Sequence, residues 1–488
     1  MFDQIRRLLK HSFIYALGSA VQSLVGFLLI PIYTRFLNPD DYGRLEICNT
    51  FLLILTTVFS FGLASALIKV HERDCKTEEE RKKIIGTIFL FLIPIVLVAI
   101  FLLYLFSPSL AEIFLKEAEH ASLIKLILIT SFFAVFLLVS FGTLRAKEQS
   151  KLYTTFYLLR FVFTLGLNIW FVVGLRLGVF GILLGNLISQ AAISLLFIPQ
   201  VLKYAKFTFS KPLFKKLLAF GIPIIPASIA MWFMDLSDRY FLRFFSTMDE
   251  VGLYSLGYKI ALVVSILLVI PFQLAWPTVS FSVAKRPDTK KIYAKVLTYF
   301  LFVACFLALI LSIFGEQIIK LMATEKFFQA YRVIPLVAFA YVLHGVHFIV
   351  VPGLHLKEKT KYYPLLVTIP ALANIGLNFY FVPRYGMMGA AATTLTCFIF
   401  MAIMTYLVSN HFYPVRYEWG RIFRLILAVF VAFGLASAFR PETLSLTIAY
   451  NFLILATFVG ILYIMGFFEK EELSRAWNFI KQIKHKST

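Results

Sequence analysis

The sequence predicts an all-α polytopic membrane protein with about fourteen transmembrane helices, arranged as two parallel six-helix repeats followed by two extra helices. Three observations lead to this fold class: an apolar composition, long apolar runs and an internal repeat. Of the 488 residues, 60% are hydrophobic and 15% are charged, and the mean hydropathy is +0.84. A soluble protein has about 25% charged residues. The chain therefore has more apolar surface than a water-facing exterior can bury.

Long apolar runs recur from one end of the chain to the other. A helix needs about 20 apolar residues to cross a hydrocarbon layer roughly 30 Å thick, and these runs lack the alternation typical of lipid-facing strands. The first run has no small-residue cleavage site after it, so we predict a retained span rather than a removed signal. The predicted spans are 12–33, 44–68, 84–106, 121–144, 153–175, 180–200, 217–236, 252–281, 296–315, 332–354, 363–382, 387–411, 422–438 and 445–466.

Lysine and arginine are distributed unevenly between the two sets of loops. Of 47 such residues, 33 fall in alternate loops and the two termini, 12 fall in the opposite loops, and two fall inside spans. This positive-inside bias predicts that both termini are cytoplasmic. Topology and attraction to anionic lipid head groups then account for the net charge of +21, and no nucleic-acid partner is expected.

The internal repeat predicts the architecture. GLNIWFVVGLRLGVFG at 166–181 resembles GLNFYFVPRYGMMG at 376–389, and both continue as Arg-x-Gly-x-x-Gly. Two further pairs keep nearly the same offset: LRAKEQSKLY at 144–153 with LHLKEKTKYY at 354–363, and FLNPDDYG at 36–43 with FSTMDEVG at 245–252. The offset covers an even number of predicted helices, so both copies cross the membrane in the same direction, and the functional site is expected between them.

The repeat divides the chain into four predicted parts. These are a six-helix lobe at 1–200, a second six-helix lobe at 201–411, two added helices at 412–466 and an amphipathic cytoplasmic tail at 467–488. The glycine-rich motif is interpreted as a tight turn at Arg176 or Arg384 between the fifth and sixth spans of each lobe. Its glycines are expected to let helices turn and pack rather than to bind a ligand.

The sequence lacks the common signatures of an enzyme. There is no phosphate-binding loop, zinc-protease motif or nucleophile elbow. The four cysteines are isolated, so neither a disulfide framework nor a metal site is predicted. We expect no catalytic residues and no metal ligands.

Two cations inside predicted spans are candidates for substrate binding. Arg160 lies in span 5 and Lys259 in span 8. A charged side chain in the bilayer costs at least about 2.5–3.5 kcal/mol, so it usually faces a bundle interior or a wet cavity. Snorkelling to the head groups is the alternative for either residue. Arg239 and Arg35, at the periplasmic ends of spans 7 and 1, complete the candidate set.

Acidic residues near the same face are candidates for a charge network or gate. Asp235 and Asp238 close span 7, where the alternative is an interfacial salt bridge, for instance to Arg243. Glu46 opens span 2 and is interpreted either as a coupling-ion site or as the partner of Arg44 or Arg35.

Neutral polar residues inside spans are interpreted as interhelical hydrogen-bonding groups rather than ligand contacts. They are Gln22, Asn49, Asn168, Asn186, Gln190, Gln273, Asn374 and Asn378.

Prolines within the spans are candidate hinges. Pro31 ends span 1, Pro223 and Pro226 break span 7, and Pro271 interrupts span 8. A proline frees backbone carbonyls and bends a helix, which a transporter can use for motion. Static kinking is the alternative, because proline is ordinary in membrane helices.

The predicted spans form a 6+6+2 pattern, and the chain contains the stretches SDRYFLRFFSTMDEVGLYSLGYKI at 237–260 and NPDDYG at 38–43. In these features the chain resembles the MATE-like (MOP) exporter superfamily. Within it, the chain is similar to the bacterial oligosaccharide and polysaccharide flippases of the Wzx type. The resemblance implies a flippase of the bacterial cytoplasmic (inner) membrane. It would move a polyprenyl-diphosphate-linked oligosaccharide from the inner to the outer leaflet by alternating access. Membrane lipids, a polysaccharide polymerase and glycosyltransferases are the partners it implies.

Several alternatives stay open at this point. A MATE-type cation-coupled exporter of drugs or metabolites has the same fold, but it usually has twelve spans. The lipid II flippases also have fourteen, although their span-1 arginine pattern is not evident in SFIYALGSAVQSLVGFLLIPIY. A membrane glycosyltransferase or polymerase is disfavoured because the predicted periplasmic loops are short. Internal charges and proline-broken spans argue against a structural scaffold. No cofactor is expected, and coupling to Na⁺ or H⁺ is left open.

Overall fold

A computed structural model describes residues 26–284, 286–439, 441, 443–469, 472 and 474, and no strand occurs among them. Twelve of its helices are long and apolar enough to cross a membrane. The predicted all-α membrane fold is therefore confirmed. Most of predicted span 1 (12–33) and of the predicted tail (467–488) lies outside the described residues.

The α-helices are numbered here in chain order. They are α1 (Ile30–Phe36), α2 (Pro39–Phe59), α3 (Leu63–Arg73), α4 (Glu78–Leu105), α5 (Ser107–Leu115), α6 (Ala121–Ala146), α7 (Ser150–Ile169), α8 (Gly178–Tyr204), α9 (Lys211–Gly221), α10 (Ile224–Leu236), α11 (Asp238–Phe245), α12 (Met248–Ala261), α13 (Ile270–Val283), α14 (Thr289–Ile313), α15 (Gly315–Met322), α16 (Ile334–Val350), α17 (Pro352–Leu356), α18 (Tyr363–Phe412), α19 (Trp419–Ala438) and α20 (Leu444–Ile464). Short π-helical segments at Trp170–Gly174 and Ser265–Val269 extend α7 and precede α13.

The chain forms two compact units. The first contains the described residues up to Lys259 together with Lys320–Ala330 and Val367–Cys397. The second contains Ile260–Ile319, Tyr331–Leu366 and the described residues from Phe398 onward. This division places helices of both sequence copies in the first unit. The lobes at 1–200 and 201–411 stay a prediction.

Predicted spans 11 and 12 are both present in α18, which consists of two helices that meet at a non-helical break at Gly386 (φ 53°, ψ −133°). The first copy has the equivalent break at Gly178, whose φ is +56°. Glycine adopts this left-handed region without the steric cost that a side chain brings. The motif is therefore a turn in both copies, as predicted. The two extra residues of the first copy coincide with the wider π-helical turn at Trp170–Gly174.

Three of the four candidate hinge prolines lie at helix starts. Pro31 is in the first turn of α1, whereas Pro271 follows the π-helical segment Ser265–Val269 inside one helical span, Met248–Pro277. Pro223 caps α10, and Pro226 lies in its first turn. Proline suits these positions because it needs no backbone N–H partner there. Their use as hinges stays a prediction.

Loops predicted to lie on the same membrane face contact each other in the first unit. On the predicted cytoplasmic face, the Lys206 ammonium lies 2.6 Å from the Glu79 carboxylate. On the predicted periplasmic face, the Arg44 guanidinium lies 3.1 Å from the Glu117 carboxylate. The alternation of loops predicted from the sequence agrees with these contacts.

Candidate functional site

The first turns of α2 and α12 are in backbone contact at the predicted periplasmic face. A methyl group added to Gly43 would lie 2.2 Å from the Met248 carbonyl oxygen. One added to Gly252 would lie 2.0 Å from the Pro39 carbonyl oxygen. Both separations are far below van der Waals contact, so no residue larger than glycine fits at either position without a backbone shift.

A buried ion pair joins the same two helices, one turn further along α2 and two turns further along α12. The Lys259 ammonium donates to the Glu46 carboxylate at 2.6 Å and to the Tyr42 hydroxyl at 3.1 Å. The Glu46 side chain is 6% exposed and the Lys259 side chain 25% exposed. Each charge is thus neutralised where water is largely excluded, and removing one partner would leave the other buried and unpaired.

This pairing corrects the expected partner of Glu46. Arg44 instead pairs with Asp40 at 2.9 Å and with Glu117. Arg35 is exposed and lines a separate cavity of about 380 Å³. Neither arginine pairs with Glu46 in the part of the chain that the structure describes.

Arg239 is buried on α11 beside two tyrosine rings. Its guanidinium carbon lies 4.7 Å from the centroid of Tyr258 and 5.9 Å from that of Tyr254. Its Nη1 donates to the Asp235 carbonyl oxygen at 3.3 Å. Cation–π contact and this hydrogen bond hold the side chain in place.

Asp238 is fully buried and accepts three side-chain hydrogen bonds. They come from Tyr254 Oη at 2.5 Å, Thr394 Oγ1 at 2.5 Å and Asn378 Nδ2 at 2.8 Å. Burial raises the pKa of the Asp238 carboxyl, while these donors act in the opposite direction. Asp238 therefore ties α11 to α12 and α18.

The suggested salt bridge from span 7 to Arg243 is wrong. Arg243 donates instead to the backbone carbonyls of Glu112 and Phe114, at 2.7 and 3.1 Å. The Asp235 Oδ1 atom is buried and has no hydrogen-bond partner among the described residues. The Asp235 Oδ1 atom therefore lacks the hydrogen bonds that satisfy the Asp238 carboxylate.

The hydrogen-bond donors to Asp238 were not predicted from the sequence, although two sequence features mark two of them. Tyr254 belongs to the Val-Gly-x-Tyr sequence that carries part of the family resemblance, and Asn378 repeats Asn168 at the same place in the glycine-rich motif. Asn168 also makes an interhelical hydrogen bond, donating to the Asn186 side chain at 3.1 Å. The interhelical interpretation of these two asparagines is confirmed.

Arg160 lines a separate cavity of about 280 Å³ formed by α2, α6, α7 and α8. Asn49, Tyr157 and Gln190 contribute polar groups to its wall, and the remainder is mainly apolar. Arg160 Nε and Gln190 Oε1 are buried without a hydrogen-bond partner among the described residues. No carboxylate within the described ranges pairs with Arg160, in contrast to Lys259.

Asn49 connects the Arg160 cavity with the ion pair. Its side chain lines the cavity, and its Nδ2 lies 3.5 Å from the Glu46 carboxylate. The structure thus links three of the predicted site residues, Arg160, Glu46 and Lys259, through a fourth residue on α2. A ligand that reorients Asn49 would act directly on the Glu46 carboxylate.

A larger cavity of about 670 Å³ lies beside α2, α10 and α11. Eight of its twelve lining residues are aromatic. The lining residues are Ile54, Thr57, Phe114, Ile229, Trp232, Phe233, Ser237, Tyr240, Phe241, Phe244, Phe245 and Phe379. We call it the aromatic cavity.

Comparison with known proteins places the chain among membrane transporters. The profile of a family described as polysaccharide biosynthesis protein matches residues 8–282. A putative O-antigen transporter from Shigella flexneri is 21% identical over 393 residues, which cover 79% of this chain and 93% of the relative.

Solved structures show the same fold. The lipid II flippase MurJ in an inward closed conformation matches with a TM-score of 0.72 and 18% identity, over 92% of this chain and 99% of that one. An inward-facing multidrug resistance MATE family transporter of the MOP superfamily matches with a TM-score of 0.65 and 17% identity, over 80% and 94% of the two chains. The predicted MATE-like fold is confirmed.

Proposed function

Since this chain belongs to the polysaccharide biosynthesis protein family, we propose that it is a flippase for a polyprenyl-diphosphate-linked oligosaccharide. It is a transporter and not an enzyme, as its O-antigen transporter relative and its fold indicate. In the proposed reaction, the precursor of a cell-surface polysaccharide passes from the inner to the outer leaflet of the bacterial inner membrane, and both termini of the protein lie in the cytoplasm.

The observation that carries this proposal is the unpaired Arg160. Arg160 is half-buried, with a buried Nε atom, and a guanidinium in such a place without a carboxylate partner is costly unless a ligand supplies the negative charge. A diphosphate offers that charge in a geometry that guanidinium groups bind well. The amides of Asn49 and Gln190 in the same cavity can hydrogen-bond to sugar hydroxyls. We assign the head group of the substrate to this cavity.

Lys259 and Arg239 have a different role in this proposal. Lys259 is neutralised by Glu46, and Arg239 lies against tyrosine rings. We therefore assign the Glu46–Lys259 pair to a gate between α2 and α12, closed in this structure by the ion pair and by the Gly43–Gly252 contact. Alternating access would require both contacts to break.

Asn49 would couple the two events. A head group that takes a hydrogen bond from Asn49 would remove that donor from Glu46 and so change how the Glu46 carboxylate is held beside Lys259. No cofactor is needed for this step. If Na⁺ or H⁺ drives the cycle, Asp235 is the acid we assign to it, because its buried Oδ1 lacks a partner among the described residues.

Flipping can be tested with purified protein in vesicles of phosphatidylethanolamine and phosphatidylglycerol. The substrate is a polyprenyl-diphosphate oligosaccharide with a fluorescent sugar, and an impermeant quencher reports the leaflet of the head group. We expect wild-type protein and the exposed control Arg73→Ala to flip it, and Arg160→Ala to lose most of this activity. Wild-type rates equal to those of protein-free vesicles would overturn the proposal.

A second candidate is the MATE-type exporter, favoured by the aromatic cavity, which suits an apolar drug. An unpaired Arg160 argues against a cationic drug, because like charges repel. The same vesicles distinguish the candidates when loaded with lipid II or with a fluorescent organic cation. Transport of the cation alone would replace the flippase proposal, and preference for lipid II would replace its substrate.

A further inference from the structure

The geometry points to the aromatic cavity as the binding site for the isoprenoid units nearest the diphosphate of the substrate. This inference rests on the proposed flippase function, and it adds a site for the lipid tail and a route by which the tail meets the bilayer. That route runs between α2 on one side and α10 and α11 on the other.

The cavity has the size and chemistry of a site for an apolar ligand. Its volume of about 670 Å³ falls within the roughly 300–1,000 Å³ typical of small-molecule pockets. Aromatic rings dominate its wall, and Thr57, Ser237 and the Tyr240 hydroxyl are among its few polar groups. A methyl-branched alkene chain can place flat units against these ring faces.

The position of the cavity ties it to the proposed head-group site. Leu53 and Thr56 line the Arg160 cavity, while Ile54 and Thr57 line the aromatic cavity. The two cavities therefore flank the same turn of α2, on adjacent faces. A ligand with a charged head and an apolar tail, held across this turn, would place one end in each cavity.

Two charged residues, Arg239 and Glu46, also lie next in sequence to residues that line the aromatic cavity or contact a lining residue. Tyr240 lines it and follows Arg239 directly in α11, and its hydroxyl lies 3.5 Å from the carbonyl oxygen of Ile47, the residue after Glu46. A tail in this cavity would therefore lie between α2 and α11, close to the Glu46–Lys259 pair that joins α2 to α12.

An unsatisfied donor supports a ligand with a polar end. Trp232 lines the cavity, and its indole Nε1 is buried without an acceptor among the described residues. A buried donor normally finds a partner. An oxygen at the phosphate end of a polyprenyl chain would supply one, which a plain hydrocarbon cannot.

The direct test uses a photoreactive polyprenyl phosphate without sugar, with the reactive group on an isoprene unit near the phosphate. In the vesicles described above, we expect crosslinks to peptides 48–60 and 225–245, reduced about tenfold by excess unlabelled polyprenyl diphosphate. Crosslinks found only in α19 and α20, or reduced equally by added phospholipid, would overturn the inference.

Filling the cavity gives a second, independent measurement. Ile54→Trp and Ile229→Trp should lower these crosslinks and slow flipping about tenfold or more, since added bulk has no room beside the tail. Val162→Trp, at a site 60% exposed on α7, is the matched control and should leave both unchanged. Normal crosslinking in both filled variants would overturn the inference.

The two proposals fail in distinguishable ways. If wild-type protein flips the oligosaccharide but neither filled variant is slower and the crosslinks lie elsewhere, the tail site is wrong and the flippase stands. If wild-type protein binds the photoreactive lipid in the cavity but does not flip the oligosaccharide, the proposed function is wrong.

Discussion

Gly43 and Gly252 occupy the same position in the two copies of the repeat, and their backbones lie against each other. The contact is reciprocal: a methyl group on either glycine would lie 3.1 Å from the backbone nitrogen of the other, in addition to its closer carbonyl clash. The copies thus meet through the one residue type that allows α2 and α12 to approach this closely.

We predict that Gly43→Ala and Gly252→Ala destabilise the structure by about 1–3 kcal/mol, because each methyl group would displace backbone rather than a side-chain end. Thermal unfolding of the detergent-solubilised protein measures this. Gly166→Ala and Gly376→Ala are the controls, since a methyl group there meets nothing within 4 Å, and alanine favours a helix. Equal melting temperatures in all four variants would show that the close contact is absent.

We predict strong coupling between Glu46 and Lys259. Glu46→Gln or Lys259→Met leaves a buried charge without its partner, and each should cost about 3–5 kcal/mol. The double variant should cost clearly less than the sum of the two, because both charges are then removed together. A double-mutant cycle on unfolding measures the coupling. Additive effects would indicate that the ion pair does not form.

Arg160 should discriminate between diphosphate and monophosphate lipids. Arg160→Met is expected to weaken binding of a polyprenyl diphosphate by about 1.5–3 kcal/mol, the range for hydrogen bonds to charged groups. Arg160→Lys should retain part of the affinity, because lysine keeps the charge but lacks the planar fork. Titration of both lipids in detergent checks this. Unchanged affinity in Arg160→Met would remove the head group from this cavity.

Asp238 is predicted to stabilise the fold rather than bind substrate. Asp238→Ala removes the acceptor that three buried donors share and should cost about 1–3 kcal/mol, seen as a lower melting temperature. Asp249→Ala, at an exposed position nearby, should change it little. A strongly reduced affinity for the lipid without any loss of stability would place Asp238 in the binding site instead.

Cysteine labelling can establish the orientation in the membrane. All four native cysteines are buried, so an impermeant maleimide should label the wild-type protein poorly. Glu119 and Lys151 are exposed and lie on opposite predicted faces. In spheroplasts, we expect Glu119→Cys to be labelled directly and Lys151→Cys only after the membrane is permeabilised. The reverse pattern would invert the predicted topology.

The features predicted well from the sequence are those that the bilayer or the backbone imposes locally. A span needs a long apolar run wherever it occurs, and the turn at Gly178 or Gly386 needs a residue that tolerates positive φ. The limits of spans 11 and 12, predicted at 363–382 and 387–411, agree with the two helices that meet at Gly386, because the glycine marks the only backbone break between them.

The partners of buried charges could not be predicted. Glu46 lies 213 residues from Lys259 in the sequence, whereas Arg44 and Arg35 lie close to it. Local proximity therefore suggested the wrong partner. Gly43 and Gly252 are equivalent positions of the repeat, but only the structure shows that they touch and so bring α2 and α12 together.

The Gly43–Gly252 contact has the form of an isologous dimer interface, in which a residue touches its own copy only on a two-fold axis. A fused chain is free of the symmetry that identical subunits must obey. The repeat position of Glu46 holds Ser255 in the second copy, and that of Lys259 holds Thr50 in the first. The ion pair therefore forms once rather than twice, on one side of this pseudo-axis. The interface between α2 and α12 thus combines a glycine contact made by both copies with one ion pair on a single side of it. Two identical subunits could not form such an asymmetric interface.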